Sequence, residues 1–164
     1  MVADIVDHLP FRSGTDVCRT KHPELSFDKD ARNISRRYRD FISILIMSFV
    51  AKRFEKNEPP YTAEDISEEC QIPIRLTNQT LYELQEINLL HEVVTDAKSQ
   101  DIAYQPSMDI SKLNVALLLD KLDTHGSEDF KIDKDKEFHG QWETLMKARE
   151  EYYKSASQVL LKDL

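Results

Sequence analysis

Three side chains near the middle of the chain are of the types that read the edges of DNA bases. Arg75, Asn78 and Gln79 follow Pro73 at spacings that put them on the outward face of a predicted helix, together with Tyr82. Arginine suits guanine, whereas asparagine and glutamine suit adenine. The alternative is a polar, solvated helix face, so these positions are a candidate contact for nucleic acid or for a protein partner.

The charge around this helix disfavours DNA. Between positions 61 and 91 one arginine stands against six acids, a net charge of −5, and the acids are Glu64, Asp65, Glu68, Glu69, Glu83 and Glu86. Binding to a phosphate backbone draws its strength from several lysine or arginine contacts. Glu64 and Asp65 lie where a helix dipole favours negative charge, which explains them better than paired catalytic carboxylates do. We therefore predict that duplex DNA is the less favoured partner.

A second group of positive charges precedes the most apolar stretch of the sequence. Arg36, Arg37 and Arg39 lie just before residues 41–50, FISILIMSFV. Clustered arginines bind phosphate groups or an anionic lipid surface. The alternative is that they pair with acids close by in the sequence, namely Asp28, Asp30 and Asp40. The cluster is a second candidate contact for nucleic acid or a partner.

No combination of residues in the sequence predicts a metal site or a catalytic centre. The five histidines are scattered, with no HxxxH or HExxH spacing: His8, His22, His91, His125 and His139. The motifs GxxxxGKS/T, GxGxxG and GxSxG do not occur, and the chain has three glycines. Trp142, Tyr152 and Tyr153 could form an aromatic pocket, but helix packing explains their spacing more simply. We predict no metal and no cofactor, and an enzyme is the less favoured class.

The composition suits one acidic domain with extensions. The 164 residues include 40% hydrophobic residues, enough to bury one core, and the net charge is −8. Cys18 and Cys70 form no CxxC pair, which favours a reducing cytoplasm. The first ten residues contain Asp4 and Asp7 and do not resemble a signal peptide. The apolar run 41–50 falls short of the roughly 20 residues that span a bilayer, so we expect no membrane span in this chain.

The candidate contacts need a frame, and the sequence predicts a helix, a tight turn and a second helix. Thr62 is a good N-cap with Asp65 three residues on, so a short helix is expected over 63–70. Pro73 then predicts a sharp turn followed by a second helix. Asn88 suits the left-handed position at the end of that helix.

Two short β-prone runs after these helices predict a hairpin. They cover 91–95 and 102–105, and the polar residues 96–101 connect them. Two helices followed by such a hairpin, or wing, define a winged helix-turn-helix. We therefore predict a mainly α fold with a small β-hairpin wing over residues 33–107.

A long helix is expected before the motif, and a weakly ordered arm before that. Residues 1–32 mix proline, glycine and charges without a sustained period, so we predict an irregular arm. Asn33 or Ser35 can cap a helix over 34–56. Its core-facing stripe is predicted to be Tyr38, Phe41, Ile42, Leu45, Phe49 and Val50. Ile44, Ile46 and Met47 make the helix apolar nearly all round, so its second face needs cover from the chain's own C-terminal helices or from a partner.

Residues 108–164 are predicted to form a helical extension packed on the winged domain. One helix is expected over 109–123 and a longer one over 138–162, joined by a charged linker. Four apolar residues of the last helix are seven positions apart, as in a coiled-coil seam: Phe138, Leu145, Tyr152 and Val159. We therefore predict a homodimer.

Several segments of the sequence resemble a known family. They are NISRRYRDF, RFEKNEPPYTAEDISEECQIPIRLTNQTLYELQEINLL, IAYQPSMDIS and the terminal LLKDL. Over roughly residues 25–164 the chain resembles the cytosolic C-terminal part of YihY/BrkB-like ("ribonuclease BN-like") membrane proteins. The resemblance implies a winged-helix domain in the cytoplasm at the inner face of a bacterial membrane, with the parent membrane domain as a partner. It carries no catalytic residue to this chain.

A weaker resemblance to Rrf2-like or MarR-like regulators covers only the helix-turn-helix. Function therefore divides between two classes. The favoured one is a non-catalytic interaction or regulatory domain of a membrane protein, and the alternative is a DNA-binding transcription regulator of the winged-helix type. The local charge of −5 ranks the first above the second, and an RNA-cleaving enzyme is a distant third.

Overall fold

The computed structural model of the chain describes residues 34–95, 101–128 and 132–164. Within them lie five α-helices, a three-stranded antiparallel sheet and one 3-10 helix. The helices are α1 (Arg36–Glu55), α2 (Ala63–Glu69), α3 (Ile74–Glu86), α4 (Val115–Thr124) and α5 (His139–Ala156). The strands are β1 (Tyr61–Thr62), β2 (Leu90–Val94) and β3 (Ile102–Pro106), and the 3-10 helix is Leu161–Asp163. The arm predicted for residues 1–32 lies outside the described residues.

Helix α1 supports the core of the described part. Ser35 caps it, because its side-chain oxygen accepts a hydrogen bond from the backbone N–H of Tyr38 at 3.3 Å. Asn57, with φ of 55°, follows its C-terminal end. The buried face of α1 packs with α3, α4, β3 and the 3-10 helix, and its apolar members are Ile42, Ile46, Met47, Val50 and Ala51. In the part of the chain that the structure describes, no helix is long and apolar enough to cross a membrane.

The predicted core stripe of α1 is wrong in its first turn. Tyr38 and Phe41 are 54% and 51% exposed, and their ring centroids lie 5.8 Å apart. Ile46 and Met47, predicted for the second face, are fully buried instead. The middle of α1 is apolar nearly all round, so its periodicity does not identify the core face. The chain's own α4 and 3-10 helix supply contacts to α1, as the first of the two predicted alternatives requires.

The helix-turn-helix forms as predicted. Thr62 and Asp65 make a reciprocal capping box at the start of α2, with N–H to side-chain distances of 2.9 and 3.2 Å. The chain reverses at Gln71, whose φ is 54°, and Pro73 directly precedes the first helical residue of α3. Asn88 has φ of 56° and ends α3 in the left-handed conformation. The two helices of the motif are therefore separated by a sharp turn.

The sheet contains one strand more than predicted. Strands β2 and β3 form the expected antiparallel pair, with Glu92 opposite Tyr104, and β1 pairs with the other edge of β3. β1 has two residues, which is too short to leave an alternating pattern in the sequence. Residues 96–100 of the predicted wing connection lie outside the described part.

The two C-terminal helices are shorter than predicted. Helix α4 begins at Val115 rather than at 109, because Asp109 forms a turn by accepting from the N–H of Ser111 at 2.9 Å. Asn114 then caps α4 by accepting from the N–H of Leu117 at 2.8 Å. Helix α5 ends at Ala156 rather than at 162.

After α5 the chain turns back into the core. The N–H of Val115 donates to the carbonyl of Val159, and the N–H of Leu161 donates to the carbonyl of Leu113, both at 3.0 Å. Leu161 is fully buried. The burial of this leucine explains why the last residues leave the helix, since a continued helix would carry Leu161 away from the core. By contrast, no residue of α5 itself is buried.

Candidate nucleic-acid interface

Helix α3 presents the three predicted contact residues on one exposed face. Its inner side is formed by Thr77, Thr80, Leu81 and Leu84, which are all buried. Arg75, Asn78 and Gln79 are exposed, and Tyr82 beside them is 62% exposed. Because the inner residues fix the rotation of α3, the outward direction of the other face follows from packing. The polar types on this face could reach base edges or a protein partner.

The basic cluster of α1 lies beside the second half of α3. Gln79 donates a hydrogen bond through Nε2 to Oε1 of Glu83 at 3.1 Å. Glu83 in turn lines a cleft together with Arg36 and Arg39. Helices α1 and α3 therefore bring the two candidate contacts, which are far apart in sequence, to neighbouring parts of the surface. This proximity depends on tertiary packing, so no local pattern in the sequence indicates it.

The three arginines differ in their pairing. Arg36 forms an ion pair with Asp123 of α4, whereas the local partners predicted for the cluster were Asp28, Asp30 and Asp40. The first two of these acids lie outside the described residues. Within the described ranges Arg37 and Arg39 make no ion pair, and both are exposed. These two guanidinium groups can thus meet an external phosphate without first breaking a described ion pair.

Asp40 is also in the cleft with Arg36 and Arg39. Partial burial raises the pKa of the Asp40 carboxyl group, and the positive charge of Arg149 offsets part of this increase. Asp40 is therefore easier to protonate than an exposed aspartate.

Three acids of α2 share a cleft with a cation of α1. Asp65, Glu68 and Glu69 line a cleft with Arg53 and Tyr61. The guanidinium group of Arg53 stacks over the ring of Tyr61, 3.9 Å from its centroid. Arg53 precedes position 61, so the local sum of −5 omitted it. Glu58, which lies 4.0 Å from Arg53, was omitted as well, so including both residues leaves the local sum at −5.

The described part of the wing stands next to the motif without adding a metal or phosphate site. The N–H of Thr95 donates to the carbonyl of Asp101 at 3.2 Å and closes the described end of the hairpin. Val94 and Ile102 at this end are 65% and 49% exposed. Among the described residues, no three His, Cys, Asp or Glu side chains are grouped so that they could hold a metal ion.

Asp123 is a central residue of this region that the sequence did not single out. Its carboxylate, 14% exposed, forms ion pairs with Arg36 of α1 and with Arg149 of α5. It also accepts a hydrogen bond from the hydroxyl group of Tyr153 at 2.6 Å. Burial raises the pKa of Tyr153 above the ordinary value of a phenol, which is already protonated at neutral pH. The four groups, which we call the Asp123 network, link three helices, and no sequence spacing indicates such a contact.

Comparison with known proteins identifies the fold. Neither a protein-family model nor a curated protein sequence matches the chain. IscR of T. potens superposes with a TM-score of 0.54 at 16% identity, covering 81% of this chain and 87% of that chain. CymR of B. subtilis, described as the global cysteine regulator, gives 0.53 at 15% identity and covers 79% and 93%. A putative transcriptional regulator from Listeria innocua gives 0.52 at 14% identity and covers 77% and 82%.

Identities this low show a shared fold and no more. The chain thus has a winged-helix fold similar to that of these regulators. The winged-helix domain implied by the YihY/BrkB-like resemblance is confirmed, whereas the likeness to these regulators gives no support to a membrane-protein parent. The comparison agrees better with the alternative function than with the favoured one.

Proposed function

We propose that this chain is a DNA-binding transcription regulator of the winged-helix type, in which α3 enters the major groove. The observation that carries the proposal is the exposed face of α3, on which Arg75, Asn78 and Gln79 lie together. Winged and other helix-turn-helix proteins read bases with side chains of the second helix of the motif. The fold likeness to regulators supports the same assignment. The proposal reverses the order that the local charge suggested.

In this arrangement the basic cluster of α1 supplies contacts to the DNA backbone. Arg37 and Arg39 lie on the helix that flanks the second half of α3, and contacts to phosphates fix the orientation of a protein on the duplex. Arg36 is held by Asp123 and contributes less. The number of backbone contacts is small, so we expect binding that weakens only gradually with salt, because the salt slope is proportional to the number of phosphates contacted.

A homodimer fits this function. The four residues of the predicted seam, Phe138, Leu145, Tyr152 and Val159, are 39% to 58% exposed. Only Leu145 and Tyr152 lie within α5, since Phe138 precedes the helix and Val159 follows it, so the helical seam is shorter than predicted. Two copies that meet along this seam would present two α3 helices to the duplex, and dimers of this class bind half-sites about 34–36 Å apart. The proposal places the protein in the cytoplasm, where bacterial DNA is located.

The second candidate is a protein-interaction domain. The exposed aromatic pair of Tyr38 and Phe41 favours it, because large apolar side chains next to arginines are typical of protein interfaces. In that case Arg75 and Asn78 would contribute nothing to binding of DNA, so the two candidates are distinguished by the same experiment.

The test is a fluorescence-anisotropy titration of the full chain with duplexes selected from a random-sequence library. We expect a dissociation constant of roughly 10⁻⁸ M for the selected site at about 0.15 M salt. Substitution Arg75→Ala or Asn78→Ala should weaken this binding by about 1–3 kcal/mol and relax sequence preference. Arg37→Ala should instead weaken binding to all sequences alike. It should also lower the slope of log affinity against log salt concentration by about one.

Lys136→Ala is the matched control, since it removes one positive charge from an exposed position in the segment just before α5. It should leave the affinity unchanged. The regulator proposal fails if no selected duplex binds more tightly than a random one. It also fails if Arg75→Ala and Asn78→Ala bind the selected duplex as well as the unsubstituted chain does.

A further inference from the structure

A second feature of the molecule, outside the face of α3, is an open cleft between α4 and α5. Its volume is about 580 Å³, and most of its lining surface is apolar. The apolar wall consists of Ala116, Trp142, Leu145 and Met146. Clefts that bind small organic molecules typically have about 300–1,000 Å³ and are lined by hydrophobic and aromatic side chains with a few charged groups. The cleft meets this description in size and in lining.

The charged groups of the cleft are mostly negative. Four carboxylates and two cations line it: Asp120, Asp123, Glu128, Glu150, Arg149 and Lys154. Three of the carboxylates are already paired with neighbouring cations, and the pairing of Asp123 leaves one positive charge in excess. Glu150 pairs with Lys154 at 2.9 Å, Glu128 pairs with Lys134 at 3.0 Å, and Asp123 belongs to its own network with two arginines.

Asp120 is the exception among these carboxylates. It makes no ion pair with any residue in the described ranges, although it lies on α4 in the wall of the cleft and is exposed. Its negative charge contributes to the raised pKa of Tyr153, after the larger effect of burial. A carboxylate without a cation, next to an apolar wall, is suited to a positively charged ligand.

The aromatic residue of the wall already attracts a cation. The ammonium group of Lys134 lies 4.4 Å from the ring centroid of Trp142. A cation at this distance from an indole face gains a favourable electrostatic interaction, and the gain is larger for weakly hydrated organic cations. Lys134 also pairs with Glu128 at 3.0 Å, so a ligand cation would have to displace its ammonium group from the ring.

From the cavity, its charge and the aromatic wall together, we infer that the α4–α5 cleft binds a lipophilic organic cation. The cationic centre is held by the field of Asp120 and by the ring of Trp142, and the apolar body of the ligand lies against Leu145 and Met146. This site goes beyond the proposed DNA-binding function and does not depend on it. Leu145 also belongs to the predicted dimer seam, so a second copy of the chain is the competing occupant of one edge of the cleft.

The test uses two probe ions of the same shape and opposite charge, tetraphenylphosphonium and tetraphenylborate. Trp142 is the single tryptophan of the sequence, so the intrinsic tryptophan fluorescence of the full chain reports on this cleft alone. We expect saturable quenching by the phosphonium and an affinity at least about tenfold higher than for the borate. Isothermal titration calorimetry gives a second measurement that is independent of the optical signal.

Asp120→Asn should weaken binding of the phosphonium by about fivefold to tenfold and should leave binding of the borate unchanged or slightly improved. Asp135→Asn is the matched control, because it removes the same charge from an exposed position that does not line the cleft. Equal affinity for the two probes, or equal affinity of the Asp120→Asn and Asp135→Asn variants, would overturn the inference. If the tryptophan fluorescence per molecule fell as the protein concentration rose, with no probe present, a second copy of the chain would be filling the cleft. That result would also overturn the inference.

Discussion

Helices α3 and α5 both display exposed side chains, but the two are supported in opposite ways. Four residues of α3 are buried, and its exposed face is polar apart from Ile74 and Tyr82. No residue of α5 is buried, and its exposed surface includes the large apolar residues Leu145, Met146 and Tyr152. The winged part therefore carries its own core beneath its candidate site. Helix α5 lacks such a core and needs a further contact to cover its apolar surface.

The interactions that hold α5 in place are mainly polar. Along the helix, Lys147 pairs with Glu143 at 2.8 Å and Lys154 pairs with Glu150 at 2.9 Å, each four residues apart. Such pairs contribute about 0.3–0.5 kcal/mol each. The main contact of α5 with the rest of the chain is with α4, where the Asp123 network joins the two helices. Helix α5 is thus expected to open more readily than α3.

The largest predicted effect tests this contrast with the same substitution in both helices. Leu84 of α3 is fully buried, so Leu84→Ala should lower the free energy of unfolding by about 2–5 kcal/mol through lost burial and a cavity. Leu145 of α5 is 47% exposed, so Leu145→Ala should change it by no more than about 0.5 kcal/mol in the monomer. Urea denaturation monitored by circular dichroism at low protein concentration measures both.

The same pair of variants should separate stability from self-association. Sedimentation at rising concentration is expected to show weaker dimer formation for Leu145→Ala, because this residue lies in the exposed seam. Met108→Ala, at a partly buried position that packs against the core outside α5, serves as a control for association. A large loss of stability in Leu145→Ala at low concentration would show that α5 is part of the core after all.

The winged part could be predicted from the sequence because its signals are local. The capping box of Thr62 and Asp65, the turn before Pro73 and the left-handed Asn88 each act within a few residues. The same holds for the outward direction of Arg75, Asn78 and Gln79, which follows from the positions of the buried residues on α3. Local signals of this kind do not depend on the rest of the fold.

What the sequence did not reveal depends on contacts between distant segments. The placement of Arg36 and Arg39 beside Glu83, the Asp123 network and the return of Leu161 to the core join residues from different helices. The local charge count is limited for the same reason, because a count of acids by position does not show which surface they occupy. Three acids of α2 share their cleft with Arg53 instead.

A smaller effect is predicted for the network that joins α5 to the rest of the chain. Asp123→Asn leaves Arg36 and Arg149 without their shared carboxylate, so it should lower the free energy of unfolding by about 1–3 kcal/mol. Hydrogen exchange monitored by mass spectrometry should show the loss of protection in α5 and not in α3.

Asp120→Asn is the control for this variant, because it changes an aspartate one turn earlier on α4 that has no described ion pair. It should alter stability by less than about 0.5 kcal/mol. If both variants changed the protection of α5 equally, the network would not be what holds α5. The contrast between the two helices would then need another cause.

The smallest predicted effect comes from a substitution that stabilises the winged part against unfolding and leaves α5 unchanged. Gln71 adopts φ of 54° at the turn between α2 and α3, a conformation that costs free energy for residues with a Cβ atom. Gln71→Gly removes this cost but makes the unfolded chain more flexible, so the net gain in the free energy of unfolding should be about 0.5–1 kcal/mol. Gln85→Gly provides the opposite case, because Gln85 lies within α3 and glycine there should cost about 0.5–1 kcal/mol. Thermal unfolding measures both variants, and hydrogen exchange in α5 should be the same in each. A loss of stability in Gln71→Gly would mean that the side chain of Gln71 contributes more to the turn than its backbone strain removes.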